Sequence, residues 1–150
     1  MSSTRFGERA PGTDIVRYVV DANVVIQLAL AGGKLGPLEG HELVAPPILA
    51  SEYTAGISEM TYRGEIPPDA ARQAIEQLAT YSIWYERPKG LYERAWRIAQ
   101  ELGWTRTYDA EYVALAALMQ SPLVTLDARL RRGAGHIVEI PLLTEIAPIT

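Results

Sequence analysis

The sequence predicts an α/β protein with three layers, in which a five-stranded parallel sheet lies between helices. Short apolar runs rich in β-branched residues alternate with longer segments of helical periodicity, a pattern typical of right-handed βαβ crossovers in a sheet covered on both faces. A length of 150 residues and an apolar fraction of 48% suit one globular domain. We expect residues 1–15 to be a flexible leader and residues 16–150 to form a single domain.

The first predicted strand leads directly into the first predicted helix. Residues 15–20 form a short β-branched run, which predicts a buried strand. Asp21 follows it, and Asn23 suits the N-cap of a helix over residues 24–31. A pair of glycines comes next and ends that helix.

Prolines mark the starts of the next two helices. Residues 42–45 predict a second strand, and Pro46 and Pro47 follow it, where proline suits a first helical turn. The helix that they open carries Glu52. Another proline pair, at residues 67–68, opens a helix in which small and apolar residues recur at helical spacing.

The second half of the chain continues the alternation. Gly103 suits a helix C-terminus, and Thr107 suits a helix N-cap. The elements predicted there are a strand at residues 82–85, helices at 91–102 and 108–119, and strands at 123–126 and 137–140.

Composition excludes several classes of function. The sequence has no cysteine, which excludes disulfide frameworks and cysteine-based zinc sites. No apolar run approaches the roughly 20 residues of a membrane span, so we expect a cytoplasmic protein without membrane contact. The formal charge of −4 argues against nucleic-acid binding through overall basicity. A local basic footprint would fall on Arg129, Arg131 and Arg132, unless these arginines form a solvated face.

Four acidic residues occupy related positions in the predicted fold. Asp21 and Asp127 come directly after predicted strands, whereas Glu52 and Asp109 lie in the first turns of predicted helices. Each has a structural explanation of its own, because acids cap helices and complement the positive helix N-terminus. However, these positions all meet at the carboxyl edge of a doubly wound sheet, where ligands bind. Together they predict a functional cluster.

Such a cluster indicates a divalent cation. Carboxylates a few ångströms apart repel one another unless a cation neutralises them. Oxygen ligands of this kind suit Mg²⁺ or Mn²⁺ rather than zinc. A cation there would lower the pKa of a bound water and stabilise charge on a phosphate, so the cluster predicts metal-assisted hydrolysis of phosphodiester bonds.

Four segments resemble the signature blocks of PIN domains and, more narrowly, those of VapC-type toxins of bacterial toxin–antitoxin pairs. The resemblance extends over residues 18–140, and the last two blocks, with their spacing, are the most specific. The blocks are YVVDANVVI at residues 18–26, APPILASE at 45–52, TYDAEYVALA at 107–116 and LVTLDARL at 123–130.

The resemblance implies a parallel five-stranded sheet and a ribonuclease that depends on Mg²⁺ or Mn²⁺. Matched residue by residue, Asp21, Asp109 and Asp127 correspond to metal-ligating catalytic acids. Glu52 corresponds to the fourth acid of the catalytic cluster. Thr125 falls where relatives often carry a hydroxyl near the site, although a strand threonine equally serves packing.

The resemblance also implies partners. These are an RNA substrate, a second copy of the chain in a homodimer, and a small antitoxin whose tail covers the acid cleft. We expect an unstacked loop as the target, because proteins that read RNA sequence mostly bind single-stranded loops. Some relatives carry an acid or asparagine three residues after the last aspartate, where this chain has Leu130, so a second metal would be held weakly. His41 and His136 have no link to the acid blocks, and we expect surface or turn roles for them.

Two other functions compete with a nuclease. The start of haloacid-dehalogenase-like phosphatases is similar to the segment at Asp21, but that chemistry needs a second aspartate where Asn23 stands and a lysine that no block supplies. The other alternative is a PIN-like module that binds RNA or a protein without cutting. Such modules typically lose one or more of the acids, and this chain has all four.

Overall fold

The computed structural model describes residues 14–149, and the predicted leader lies outside them except for its last two residues. The strands are β1 (Arg17–Val20), β2 (Glu42–Ala45), β3 (Ile83–Tyr85) and β4 (Leu123–Val124). The α-helices are α1 (Ala22–Leu30), α2 (Ile48–Tyr62), α3 (Pro68–Leu78), α4 (Leu91–Leu102), α5 (Tyr108–Met119) and α6 (Ala128–Ala134), with 3-10 turns at Gly36–Leu38 and Leu143–Glu145.

The sheet is parallel, as predicted, with the strand order β3-β2-β1-β4. One of its two inner strands is β1, where Val19 stands opposite Val44 on one side and opposite Leu123 on the other. Every crossover between these strands passes through at least one helix, as parallel pairing requires. The carboxyl ends of β1 and β4 therefore lie side by side.

Helices cover the sheet in two groups. The first consists of α1, α2 and α3, which pack on one another, and Gly56 of α2 admits Ile26 so closely that an added Cβ would meet its Cδ1 at 2.7 Å. The second consists of α4 and α5, and α5 contacts both β1 and β4. Residues 110–116 of α5 are all buried, so this helix is enclosed around its circumference. The three predicted layers are thus confirmed.

The predicted fifth strand at residues 137–140 is wrong for the described chain, whose sheet has four strands. After α6 the backbone turns, with the N–H of Ile137 bonded to the carbonyl of Ala134 at 2.9 Å. One backbone hydrogen bond, from Leu123 N to Glu139 O at 2.9 Å, joins this segment to β4. The carbonyl of Ile140 accepts instead from Arg131 Nε at 3.0 Å. The apolar run therefore lies beside the sheet without forming a ladder.

Two helix ends differ from expectation in their chemistry. Asp21, rather than Asn23, is the N-cap of α1, because its Oδ1 accepts from the Val24 N–H at 3.0 Å. Thr107 stands at the N-cap position of α5, but its side chain makes no capping hydrogen bond. Gly103 ends α4 in the left-handed conformation, with φ of 72°, as predicted. Within residues 14–149, no helix combines the length and the apolar character that crossing a bilayer requires.

Candidate active site

Asp21 lies at the carboxyl end of β1, where this strand meets β4. Its backbone N–H donates to the Val124 carbonyl at 3.3 Å, and its side chain is 8% exposed. One carboxylate oxygen caps α1 through Val24, and the other accepts a short hydrogen bond from the hydroxyl of Thr125. The same carboxylate thus serves as a helix cap and lies at the carboxyl edge of the sheet.

Thr125 connects Asp21 to Asp127. Its hydroxyl donates to the Asp21 carboxylate and accepts from the Asp127 backbone N–H at 3.1 Å, which uses both functions of the group. Asp127 in turn caps α6, with Oδ1 accepting from the N–H groups of Arg129 at 2.9 Å and Leu130 at 3.2 Å. Both aspartates are therefore held at one edge by backbone and hydroxyl donors.

Glu52 reaches the same edge from α2 and is held there by Tyr112. The Tyr112 hydroxyl donates to Glu52 Oε1 at 2.5 Å and accepts from the Ala22 N–H at the start of α1. Tyr112 is 1% exposed and stands three residues after Asp109 on α5, so the two side chains share a helix face. Tyr112 was not among the site residues predicted from the sequence. The spacing of Tyr112 from Asp109 was the signal that could have marked it.

The pKa of Asp21 is raised from 3.8 to about 6. Burial is the main cause, because it disfavours the charged form. The hydrogen bonds from Thr125 and Val24 oppose it, whereas the negative charges of Asp109 and Asp127 add to it. Asp21 thus sits in the combined field of two other predicted acids.

The remaining acids interact in the same way. Burial raises the pKa of Asp109, the charge of Asp127 raises it further, and the Arg129 guanidinium lowers it. Burial also raises the pKa of Glu52, opposed by its hydrogen bond from Tyr112 and increased by Asp109. The four predicted acids therefore form one electrostatically linked cluster.

A fifth acid, Glu111, was not predicted from the sequence. It is 8% exposed in the first turn of α5, and its pKa is raised by burial and then by the charge of Glu52. Burial of a glutamate in a first turn could not be foreseen from a position that usually faces solvent. It adds to the negative potential beside Glu52.

The residues present match a hard divalent cation by donor chemistry, since they offer carboxylate oxygens and mutually repelling charges. In residues 14–149, however, no group of three or more acidic or histidine side chains already converges as a metal site would. A cation would have to draw the linked acids inward. The cluster is consequently open rather than a closed set of ligands.

The histidines stand apart from the cluster. His41 Nδ1 accepts from the Val16 N–H at 3.0 Å, and its Nε2 lies 2.9 Å from the Ala147 carbonyl, so its ring joins two backbone segments. His136 Nε2 lies 3.3 Å from Glu101 on the surface. A hollow of about 440 Å³ beside His41, among the loops that precede β2 and β3, includes none of the four acids.

A cavity of about 420 Å³ lies against the cluster. Its lining includes Glu52, Asp109, Arg129 of α6 and the connection from α4 to α5. Its volume falls within the usual range of ligand pockets. The connection contributes Gly103, Trp104, Thr105 and Arg106, and Tyr108 at the start of α5 also lines the cavity.

Comparisons with known proteins agree with this fold. The family model of the PIN domain matches residues 18–135. The VapC ribonuclease Mb0985 of Mycobacterium bovis is 33% identical over 113 residues, which cover 75% of this chain and 87% of that protein. Ribonuclease VapC1 of Mycobacterium tuberculosis is 33% identical over 133 residues, covering 83% and 96%. The chain therefore belongs to the PIN-domain family, in its VapC-type group.

Two solved structures share the fold. PAE2754 from Pyrobaculum aerophilum superposes with a TM-score of 0.66 at 23% identity, over 88% of this chain and 93% of that one. VapBC2 from Rickettsia felis, solved bound to a DNA fragment from its promoter, gives 0.63 at 13% identity, over 85% and 98%. The predicted fold class and family are confirmed, with the number of strands corrected.

Proposed function

We propose that this protein is a metal-dependent endoribonuclease and the toxin of a type II toxin–antitoxin pair, acting on RNA in the cytoplasm. The observation that carries the proposal is the linked cluster of Asp21, Glu52, Asp109 and Asp127 at the carboxyl edge of a PIN-domain sheet. The similarity to proteins named VapC ribonucleases supports the choice of RNA as substrate.

In this proposal Asp21, Asp109 and Asp127 hold Mg²⁺ or Mn²⁺. A cation held there would supply a water of lowered pKa and positive charge for the phosphate. A cation also relieves the repulsion that raises the pKa values of Asp21 and Asp109, which gives the cluster a reason to bind one.

Glu52 acts beside the cation rather than as a principal ligand. Tyr112 fixes its Oε1, and its other oxygen has no hydrogen-bond donor within residues 14–149. That oxygen is available to orient the attacking water, a role that depends on the position fixed by Tyr112. No side chain has to form a covalent intermediate.

Cleavage of a labelled RNA with a single-stranded loop tests the proposal. We expect cutting with Mg²⁺ or Mn²⁺, none in excess EDTA, and a loss of about 100-fold or more in Asp109→Asn and Asp127→Asn. Asp69→Asn is the matched control, because Asp69 lies on α3 with a side chain 90% exposed. Cutting in EDTA, or full activity in the cluster variants, would overturn the nuclease.

The antitoxin and the homodimer belong to the same proposal. Tyr62 and Ile75, on neighbouring helices α2 and α3, are 93% and 40% exposed, which leaves apolar surface for a protein partner. The metal-free acid cluster favours an arginine or lysine from the antitoxin tail. Light scattering should give a dimer, and co-expression with the neighbouring short reading frame should give an inactive complex. A stable monomer would contradict the homodimer. Cleavage unchanged by co-expression would contradict the antitoxin.

A further inference from the structure

The cavity beside Asp109 has a wall that the catalytic proposal leaves without a role. This wall is the connection from α4 to α5, and Arg129 of α6 lines the same cavity. Glu52 and Asp109 also line the cavity, so anything bound in it lies next to the acid cluster. The wall therefore stands where the RNA on one side of the cleaved bond would run.

The connection is anchored at both ends. Gly103 takes the left-handed conformation, and the Trp104 N–H donates to the Ala99 carbonyl at 2.8 Å, which closes the end of α4. The Trp104 indole lies over Gly133 of α6, where an added Cβ would meet it at 3.4 Å. At the other end, the Glu111 N–H donates to the Thr107 carbonyl at 3.0 Å. Trp104 thus holds the wall in place, and the residues after it face the cavity on a fixed backbone.

Arg106 and Arg129 supply positive charge where the acids would otherwise repel RNA. Both side chains belong to exposed residues, and neither forms an ion pair in the described part of the chain. Arg129 is close enough to Asp109 to lower its pKa. Of the arginines in the basic footprint predicted from sequence, Arg131 does not join this pair, because its Nε donates to the Ile140 carbonyl. Two guanidinium groups beside a carboxylate cleft suit phosphate groups that flank the one being cut.

Tyr108 adds an aromatic surface to the same cavity. It is 48% exposed at the first position of α5, next to Asp109, whereas the Trp104 ring is engaged with α6. An exposed tyrosine beside cationic side chains is the combination with which proteins bind single-stranded nucleic acid, through stacking on an unpaired base.

We propose that Arg106, Tyr108 and Arg129 form a binding subsite for the single-stranded RNA nucleotide next to the cleaved phosphate. The arginines hold its phosphates, and Tyr108 stacks on its base. This inference rests on the proposed ribonuclease function, and it makes the subsite selective for unpaired RNA because a base must leave its helix to reach Tyr108.

Fluorescence anisotropy with a labelled ten-nucleotide single-stranded RNA tests the subsite. The protein carries Asp127→Asn and the buffer contains Mg²⁺, so that binding is read without cleavage. We expect Arg106→Ala and Tyr108→Ala each to weaken binding about 5- to 100-fold, and Arg106→Glu to weaken it further. The slope of log affinity against log salt should fall by about 0.7 for Arg106→Ala and stay unchanged for Tyr108→Ala.

The matched controls are Arg94→Ala and Tyr92→Ala. Both residues are exposed on α4, away from the cavity lining, and Tyr92 is 51% exposed, close to the value for Tyr108. If the Arg106 and Tyr108 variants bind as tightly as the two controls while the wild type cleaves RNA, the subsite is wrong and the nuclease stands. If the Asp127→Asn protein does not bind RNA and the wild type does not cleave it, both the subsite and the ribonuclease function are wrong.

Discussion

Asp21 caps a helix and belongs to an acid cluster, and these two roles place opposite demands on its charge. As a cap it gains from being ionised, because it accepts a backbone N–H at the positive end of α1. As a buried acid near Asp109 and Asp127 it gains from being neutral. Its raised pKa shows that, without a bound cation, the preference for the neutral form is the stronger of the two effects.

Replacement of Asp21 by asparagine should stabilise the metal-free protein at neutral pH. Because the folded pKa is about 6 against an ordinary 3.8, the stability contributed by protonated Asp21 is fully present below about pH 3.8 and is lost as the pH rises through 6. The loss should reach about 3 kcal/mol, and Asp21→Asn should remove this part of the pH dependence. Urea unfolding in EDTA at pH 4 and pH 7 measures it. Wild-type and Asp21→Asn proteins with the same pH dependence would contradict the assignment.

Tyr112→Phe should separate positioning from folding. The lost hydrogen bond to Glu52 should cost roughly 1.5–3 kcal/mol in stability and about tenfold or more in cleavage rate. Because Tyr112 lowers the pKa of Glu52, the acid limb of the pH–rate profile should move to higher pH.

Tyr53→Phe is the control for that variant. The buried Tyr53 hydroxyl donates to the Ala74 carbonyl at 2.6 Å, away from the acids. We expect a similar loss of stability with the cleavage rate and the pH profile unchanged. If both tyrosine variants behave alike in cleavage, Tyr112 is only structural.

At the residue scale, the acids could be predicted from sequence because strand ends and helix starts share one edge. Tyr112 could not, since its contact with Glu52 spans 60 residues of chain and depends on how α2 and α5 pack. Arg106 lies in a connection without periodicity, so only the fold shows that it faces the cavity.

Among the elements, the helices matched their predicted bounds better than the strands. Helices carry local signals, such as the proline pairs at the starts of α2 and α3 and Gly103 at the end of α4. A strand needs a neighbour to bond with, and no local pattern reports that the Ile140 carbonyl is taken by Arg131. The apolar run at residues 137–140 was consequently mistaken for a fifth strand.

Gly103→Ala should lower stability without any steric clash. Gly103 has φ of 72° and open space where a Cβ would stand, so only the left-handed backbone opposes the change. The cost should be about 1 kcal/mol, or roughly 2–4 °C in melting temperature. Thermal unfolding followed by circular dichroism measures it, with Gln100→Ala on the exposed face of α4 as the control. An unchanged or higher melting temperature in Gly103→Ala would contradict this account of the helix end.

For the whole molecule, the proposed metal site would link cation binding to folding. A ligand that binds the folded state at about 100 times its Kd adds about 2.7 kcal/mol of stability. Saturating Mn²⁺ should therefore raise the melting temperature of the wild type by about 5 °C or more, at pH 7 against EDTA. Asp109→Asn should lose most of this gain, whereas Asp69→Asn should keep it. Equal melting of the wild type with and without metal would argue against a metal site.

The two margins of the sheet bear on how this protein behaves when it is abundant. A free strand edge can recruit another chain and start cross-β aggregation. At β4 the segment containing Glu139 already bonds to the Leu123 N–H. At β3 the edge is three residues long, and Glu86, Arg87 and Pro88 follow it, so charge and a missing N–H stop its extension. Trp84 is exposed, but it lies on a strand too short to nucleate a fibre. High protein concentrations should therefore not drive edge-to-edge assembly.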